Sequence, residues 1–179
     1  MEDRFVEENV RHRLILSGMA ELEEHGIADF SLRRAAIGAQ VSCAAPYRHF
    51  KSKEDYVNEI IDYVGSKWEL MAKEISNIFS GDAAALVVET CIANLRFRIA
   101  NRNFPLALAH MKESGKSIDD SISSVVKTYC SAKGIAEEES ELKRFFALTL
   151  IFGAVSMVTD TNMDNVLALT RKMLKEEFK

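Results

Sequence analysis

The stretch from Ser31 to Lys53 leaves the chain few ways to fold. Leu32, Ala35, Ala36 and Ala39 fall at i, i+3, i+4 and i+7, the spacing of one compact apolar helix face. Ser31 is a good N-cap for that helix, and its alanines allow a second helix to approach closely. Gln40-Val41 makes the turn, and Ser42 can cap a following helix that begins near Cys43. Pro46 would break a helix interior but is tolerated within a first turn. Two short helices across a tight turn are the layout of a helix-turn-helix.

The same stretch differs from the rest of the chain in charge. Overall the protein carries a formal net charge of -4 and a pI near 5.6. From Phe30 to Lys53 there is no Asp or Glu, while Arg33, Arg34, Arg48, His49, Lys51 and Lys53 are all present. Most of the surface should therefore repel nucleic acid. A phosphate-binding surface, if the protein has one, is confined to this patch.

Helices are expected throughout. Gly and Pro are few, and alternating valine-rich runs are missing. With 179 residues, 47% of them hydrophobic, the chain can bury a core. A first helix is expected from Asp3 to His25, stopped by Gly26. A long helix should run from Lys53 to about Phe79, capped by Ser52 with Asp55 three residues on. Gly81-Asp82 then opens a helix reaching about Arg102, and a short helix is expected over Phe104–Met111. Ile118 to Tyr129 is amphipathic and Gly134 ends it. Phe145 to Val158 is apolar almost all round, and Val166, Leu169 and Met173 lie on one side of a last helix. The reading is all-α, with a domain of residues 1–52 and a second of residues 53–179.

The first residues are charged and amphipathic, unlike a secretory signal. No apolar stretch reaches the roughly 18–20 residues that span a bilayer. Cys43, Cys91 and Cys130 are far apart and odd in number, as expected of free thiols in the cytoplasm. The four histidines lack metal-ligand spacing, so neither a metal nor another cofactor is expected.

Ser31-Leu32-Arg33-Arg34-Ala35-Ala36, Ala39-Gln40-Val41-Ser42, Tyr47-Arg48-His49-Phe50 and Ser52-Lys53-Glu54 together resemble the DNA-binding domain of the TetR family of transcriptional regulators. Gln40 stands where that family usually has Gly, and Cys43-Ala44-Ala45 replaces a more polar start to the recognition helix. The resemblance implies a three-helix DNA-binding head on a helical ligand-binding and dimerisation bundle. It implies that Tyr47 and Lys53 contact phosphate, which suits a phenol and an ammonium. Ser31, Arg33, Ser42, Cys43, Ala44, Ala45, Arg48 and His49 complete the implied DNA surface. Cys43-Ala44-Ala45 offers methyl contacts to thymine and few hydrogen bonds, leaving base reading to Arg33, Arg48 or DNA shape.

Each of these residues also has a plainer reading. Tyr47 can be partly core, Lys53 solvated and His49 a surface residue. Cys43 is either a redox-sensitive thiol or a small side chain tolerated at the surface. Phe50, Cys91 and Cys130 are expected in the core. Thr90, Asn94 and Arg98 recur every four residues and are either polar anchors of an apolar pocket with Trp68, Met71, Phe97 and Phe104 or a solvated helix face. Trp68 is either a pocket wall or core.

The Phe145–Val158 run is too apolar for a monomer's surface and is expected to serve core and dimer interface. The function expected is that of a homodimeric regulator, a repressor, which binds a palindromic DNA operator and is released by a hydrophobic or amphipathic small molecule. The rival is a helical ligand-binding or interaction protein without specific DNA binding. No catalytic step is expected.

Overall fold

The computed structural model describes residues 2–102 and 118–179, and every regular element among them is a helix. In chain order these are α1 (Glu2–His25), α2 (Leu32–Gly38), α3 (Ala45–His49), α4 (Lys53–Ile78), α5 (Ala83–Ala100), α6 (Ile118–Lys133), α7 (Glu137–Met157) and α8 (Met163–Glu177). The helix expected over Phe104–Met111 lies outside the described residues. The all-α class and the helix-turn-helix are as expected. Gly26 follows α1, the Ser31 hydroxyl accepts from Arg34 N at 3.3 Å, and the Asp82 carboxylate accepts from Ala85 N at 2.9 Å. At the start of α4 the Ser52 hydroxyl accepts from Asp55 N (3.0 Å), and Asp55 Oδ2 accepts from Lys51 N (2.8 Å), a reciprocal cap.

The turn between α2 and α3 is longer than the sequence implies. Helix α3 begins at Ala45 rather than near Cys43. The Ser42 carbonyl, not its hydroxyl, receives Ala45 N at 2.9 Å, so Ser42, Cys43 and Ala44 stand ahead of the helix. Gln40 adopts φ 56°, the left-handed conformation that favours glycine. Gly38, costly inside a helix, has a packing reason. A Cβ there would lie 2.3 Å from Ser17 Oγ, which is held by its own bond to the Ala35 carbonyl (2.8 Å).

The described residues form two compact units, one up to Ser66 and one comprising Lys67–Arg102 and the residues from Ile118 onward. In the first, α1, α2 and α3 pack on one another around Leu14, Leu22, Ala35, Ala36, Phe50 and Tyr56, all buried. The Phe50 and Tyr56 rings stack at 4.0 Å, and Tyr56 Oη donates to the Leu14 carbonyl. Phe50 is core, as expected. In the second, α5 packs against α6, α7 and α8 around Val87, Cys91, Leu95, Ile122, Ile151 and Leu174. Cys91 and Cys130 are buried there, and burial pushes the Cys91 thiol up to about 12, so it is inert.

Candidate functional site

The basic stretch forms an outward surface of the first unit. Arg33, Ser42, Cys43, Ala44, Tyr47, Arg48, Lys51 and Lys53 are exposed, Ser31 and His49 half-buried, and Ala45 buried. Tyr47 is 70% exposed, so it is no part of the core. Pro46 and Ala45 turn inward, which leaves Ser42, Cys43, Ala44, Tyr47 and Arg48 as the outer face of α3 and its approach. That face has one guanidinium, a phenol, a hydroxyl and otherwise apolar atoms. Its hydrogen-bonding capacity is small and concentrated at Arg48 and Tyr47.

Neighbouring ion pairs fix the surface in place. Arg34 is exposed, off the buried Ala35–Ala36 face of α2, yet it is tethered. Its Nε donates to both carboxylate oxygens of Glu21 (2.8 and 3.0 Å), and its Nη2 donates to the Asp29 carbonyl at 2.6 Å. Glu21, almost fully buried, also accepts from Ser31 N at 3.0 Å. Burial alone would raise the Glu21 carboxyl, but Arg34, the Ser31 amide and His25 together hold it below the usual carboxylate range. Glu21 thus ties the start of α2 to α1. Lys53 Nζ donates to the Ala28 carbonyl at 2.9 Å, which leaves the ammonium donors for a phosphate.

In the second unit the residues expected to line one pocket divide into two groups. Thr90 and Asn94 are buried and Arg98 is nearly so, which removes the solvated-face reading. Asn94 Nδ2 donates to the Ile118 carbonyl (3.0 Å), Arg98 Nε donates to Asn94 Oδ1 (2.8 Å), and Arg98 Nη2 pairs with Asp119. Burial lowers the Arg98 pKa and Asp119 opposes the shift. Asn94 and Arg98 are thus directed at the start of α6.

Met71 and Phe97 instead border a cavity of about 430 Å³ between α4, α5 and α8. Trp68 is buried against Phe97, with the ring centres 5.3 Å apart. Phe104 lies outside the described residues. The sequence reading missed Glu89, Arg96 and Arg171, which also line this cavity. Arg171 pairs with Glu89, Nη2 to Oε2 at 3.0 Å. Glu89 and Arg96 lie on the same side of α5, but Arg171, the partner of Glu89, is 82 residues away in sequence.

A second, apolar cleft of about 560 Å³ separates α7 from α8, bordered by Phe145, Leu150, Met157, Leu169 and Met173. Phe145, Met157, Leu169 and Met173 are exposed. Among the described residues no cluster of His, Cys, Asp and Glu can hold a metal ion, and no helix is long and apolar enough to cross a membrane.

No protein-family model and no curated protein matches the sequence. Solved structures match over nearly the whole chain. The transcriptional regulator FadR from Bacillus subtilis, solved with stearoyl-CoA, is 15% identical over 94% of this chain and 97% of its own, with a TM-score of 0.69. A TetR transcription regulator from Haloarcula marismortui is 18% identical over 96% and 97%, with a TM-score of 0.68. The TetR family regulator PfmR from Thermus thermophilus is 16% identical over 92% and 94%, with a TM-score of 0.66. At these identities the likeness establishes the fold, which is that of TetR-type transcriptional regulators.

Proposed function

We propose that the chain is a ligand-responsive transcriptional regulator of the TetR family that binds a palindromic DNA operator as a homodimer and acts as a repressor. The observation that carries this reading is the outer face of α2 and α3. It is basic, bears an exposed Tyr47, and belongs to an otherwise acidic protein whose fold is that of such regulators. Residues 1–52 form the DNA-binding domain in this reading, and residues 53–179 bind the effector and dimerise. Ser31, Tyr47, His49 and Lys53 meet phosphates; Arg33, Ser42, Cys43, Ala44 and Arg48 face the groove.

The exposed apolar residues of α7 and α8 give the dimer its interface, since a patch of this kind on a monomer invites association. The effector is a hydrophobic or amphipathic small molecule bound in the second unit. It favours a conformation in which the two heads no longer match successive major grooves. No catalytic step is involved.

The test is binding to one selected duplex and to random duplex DNA across a salt series. Preference for the selected duplex, with affinity falling steeply as salt rises, supports the reading. Equal, weak binding to both favours the rival, a helical ligand-binding protein without specific DNA binding.

A further inference from the structure

We infer that the cavity between α4, α5 and α8 is a site for a small amphipathic anion, a carboxylate on an apolar body. Its effector role rests on the regulatory reading above; its binding chemistry does not. The cavity's volume, about 430 Å³, lies within the range of small-molecule sites. Ile92 and Phe97 form a buried apolar wall, with Met71 and Ile75 opposite on α4. The ionic groups lining it are two guanidiniums, Arg96 and Arg171, against one carboxylate, Glu89, so the lining is net positive in an acidic protein.

Glu89 shows what Arg171 accepts. Both of its carboxylate oxygens meet Arg171 nitrogens, the fork-on-fork geometry that guanidinium offers to carboxylates. A ligand carboxylate can take the same place or bridge to Arg96, which is exposed on the same cavity. A ligand's head therefore competes with Glu89 while its apolar body takes the wall. A neutral ligand of equal length gains the wall alone.

The experiment uses the whole chain, with decanoate and decan-1-ol as probes in equilibrium dialysis. Fluorescence of Trp68 is followed in parallel, because its ring packs on Phe97. Decanoate should bind about tenfold or more tighter than decanol, the effect of one charge-assisted contact. Arg171→Gln and Arg96→Gln should each weaken decanoate several-fold and leave decanol unchanged. Glu89→Gln should tighten decanoate, because it removes the internal competitor. Should Arg171→Gln fail to fold, the exposed Arg96 and the Glu89 variant still decide the matter.

Equal affinities for the two probes, or a Glu89→Gln variant that weakens decanoate, would overturn the site. Operator affinity measured alongside separates the two claims. Decanoate binding that obeys these variants but leaves operator affinity unchanged keeps the site and counts against its effector role.

Discussion

The Arg98 guanidinium on α5 lies 4.5 Å from the centre of the Phe152 ring on α7, while its Nη2 pairs with Asp119 at the start of α6. Phe152 is 47% exposed, so its ring covers a cation while much of the residue stays open to solvent. The apolar face of α7 is therefore not uniform. A carboxylate introduced at Phe152 would meet a guanidinium, whereas one at Phe145 would not.

This difference sets the dimerisation test. Phe145 is 67% exposed, so Phe145→Glu should leave the protomer folded and yield monomers, because a dimer would bury the charge unpaired. Phe152→Glu should be milder in both respects, its carboxylate pairing with Arg98. Sedimentation velocity with circular dichroism reads both. A Phe145→Glu protein that remains a dimer would place the interface elsewhere.

Tyr47→Phe should weaken binding to selected and random duplexes alike, by about two- to tenfold for one lost hydrogen bond. Its exposure means that the melting temperature should not move. Lys53→Ala should weaken both duplexes and lower the salt slope by about one. It should also loosen the loop that its ammonium holds at Ala28, which thermal melting will register. Unchanged affinity in both variants would remove them from the phosphate surface.

Base reading should be economical. Arg48→Ala should erase preference at one guanine per half-site, worth about 1–3 kcal/mol. Cys43 and Ala44 offer only apolar contact, so replacing selected thymines by uracil should weaken binding without any change in the protein. A duplex that binds equally well with uracil throughout would assign specificity to DNA shape instead.

Much of this was legible in the sequence, and the reasons are local. Ser31, Ser52, Asp82 and Gly26 mark helix ends through bonds that close within a few residues. The late start of α3 was not legible, because a serine carbonyl and a serine hydroxyl compete for the same amides. Thr90, Asn94 and Arg98 showed their common face, but what lies opposite, Ile118 and Asp119, comes from another helix. Glu21 with Arg34 and Glu89 with Arg171 are pairs made by tertiary packing, and nothing in their spacing announces them.

The Glu21 tie predicts a pH dependence. Its carboxyl sits below the usual range when folded, so its contribution is present above the unfolded pKa, near 4.3. That contribution is lost as pH falls through the folded value. Glu21→Gln should cost about 1 kcal/mol or more at pH 7, a few degrees in Tm. It should also flatten the loss of stability between about pH 5 and 3. Thermal melts across that interval decide it; a variant as acid-sensitive as the parent would show that other carboxylates set the response.

Selection of binding sites from a pool of random duplex DNA tests the central claim most directly. A homodimer with one reading helix per protomer should enrich a two-fold symmetric sequence, its half-sites separated by about one helical turn. Arg48→Ala should shift that sequence at symmetry-related positions. A pool that remains random after repeated rounds, with a folded and dimeric protein, would contradict the account.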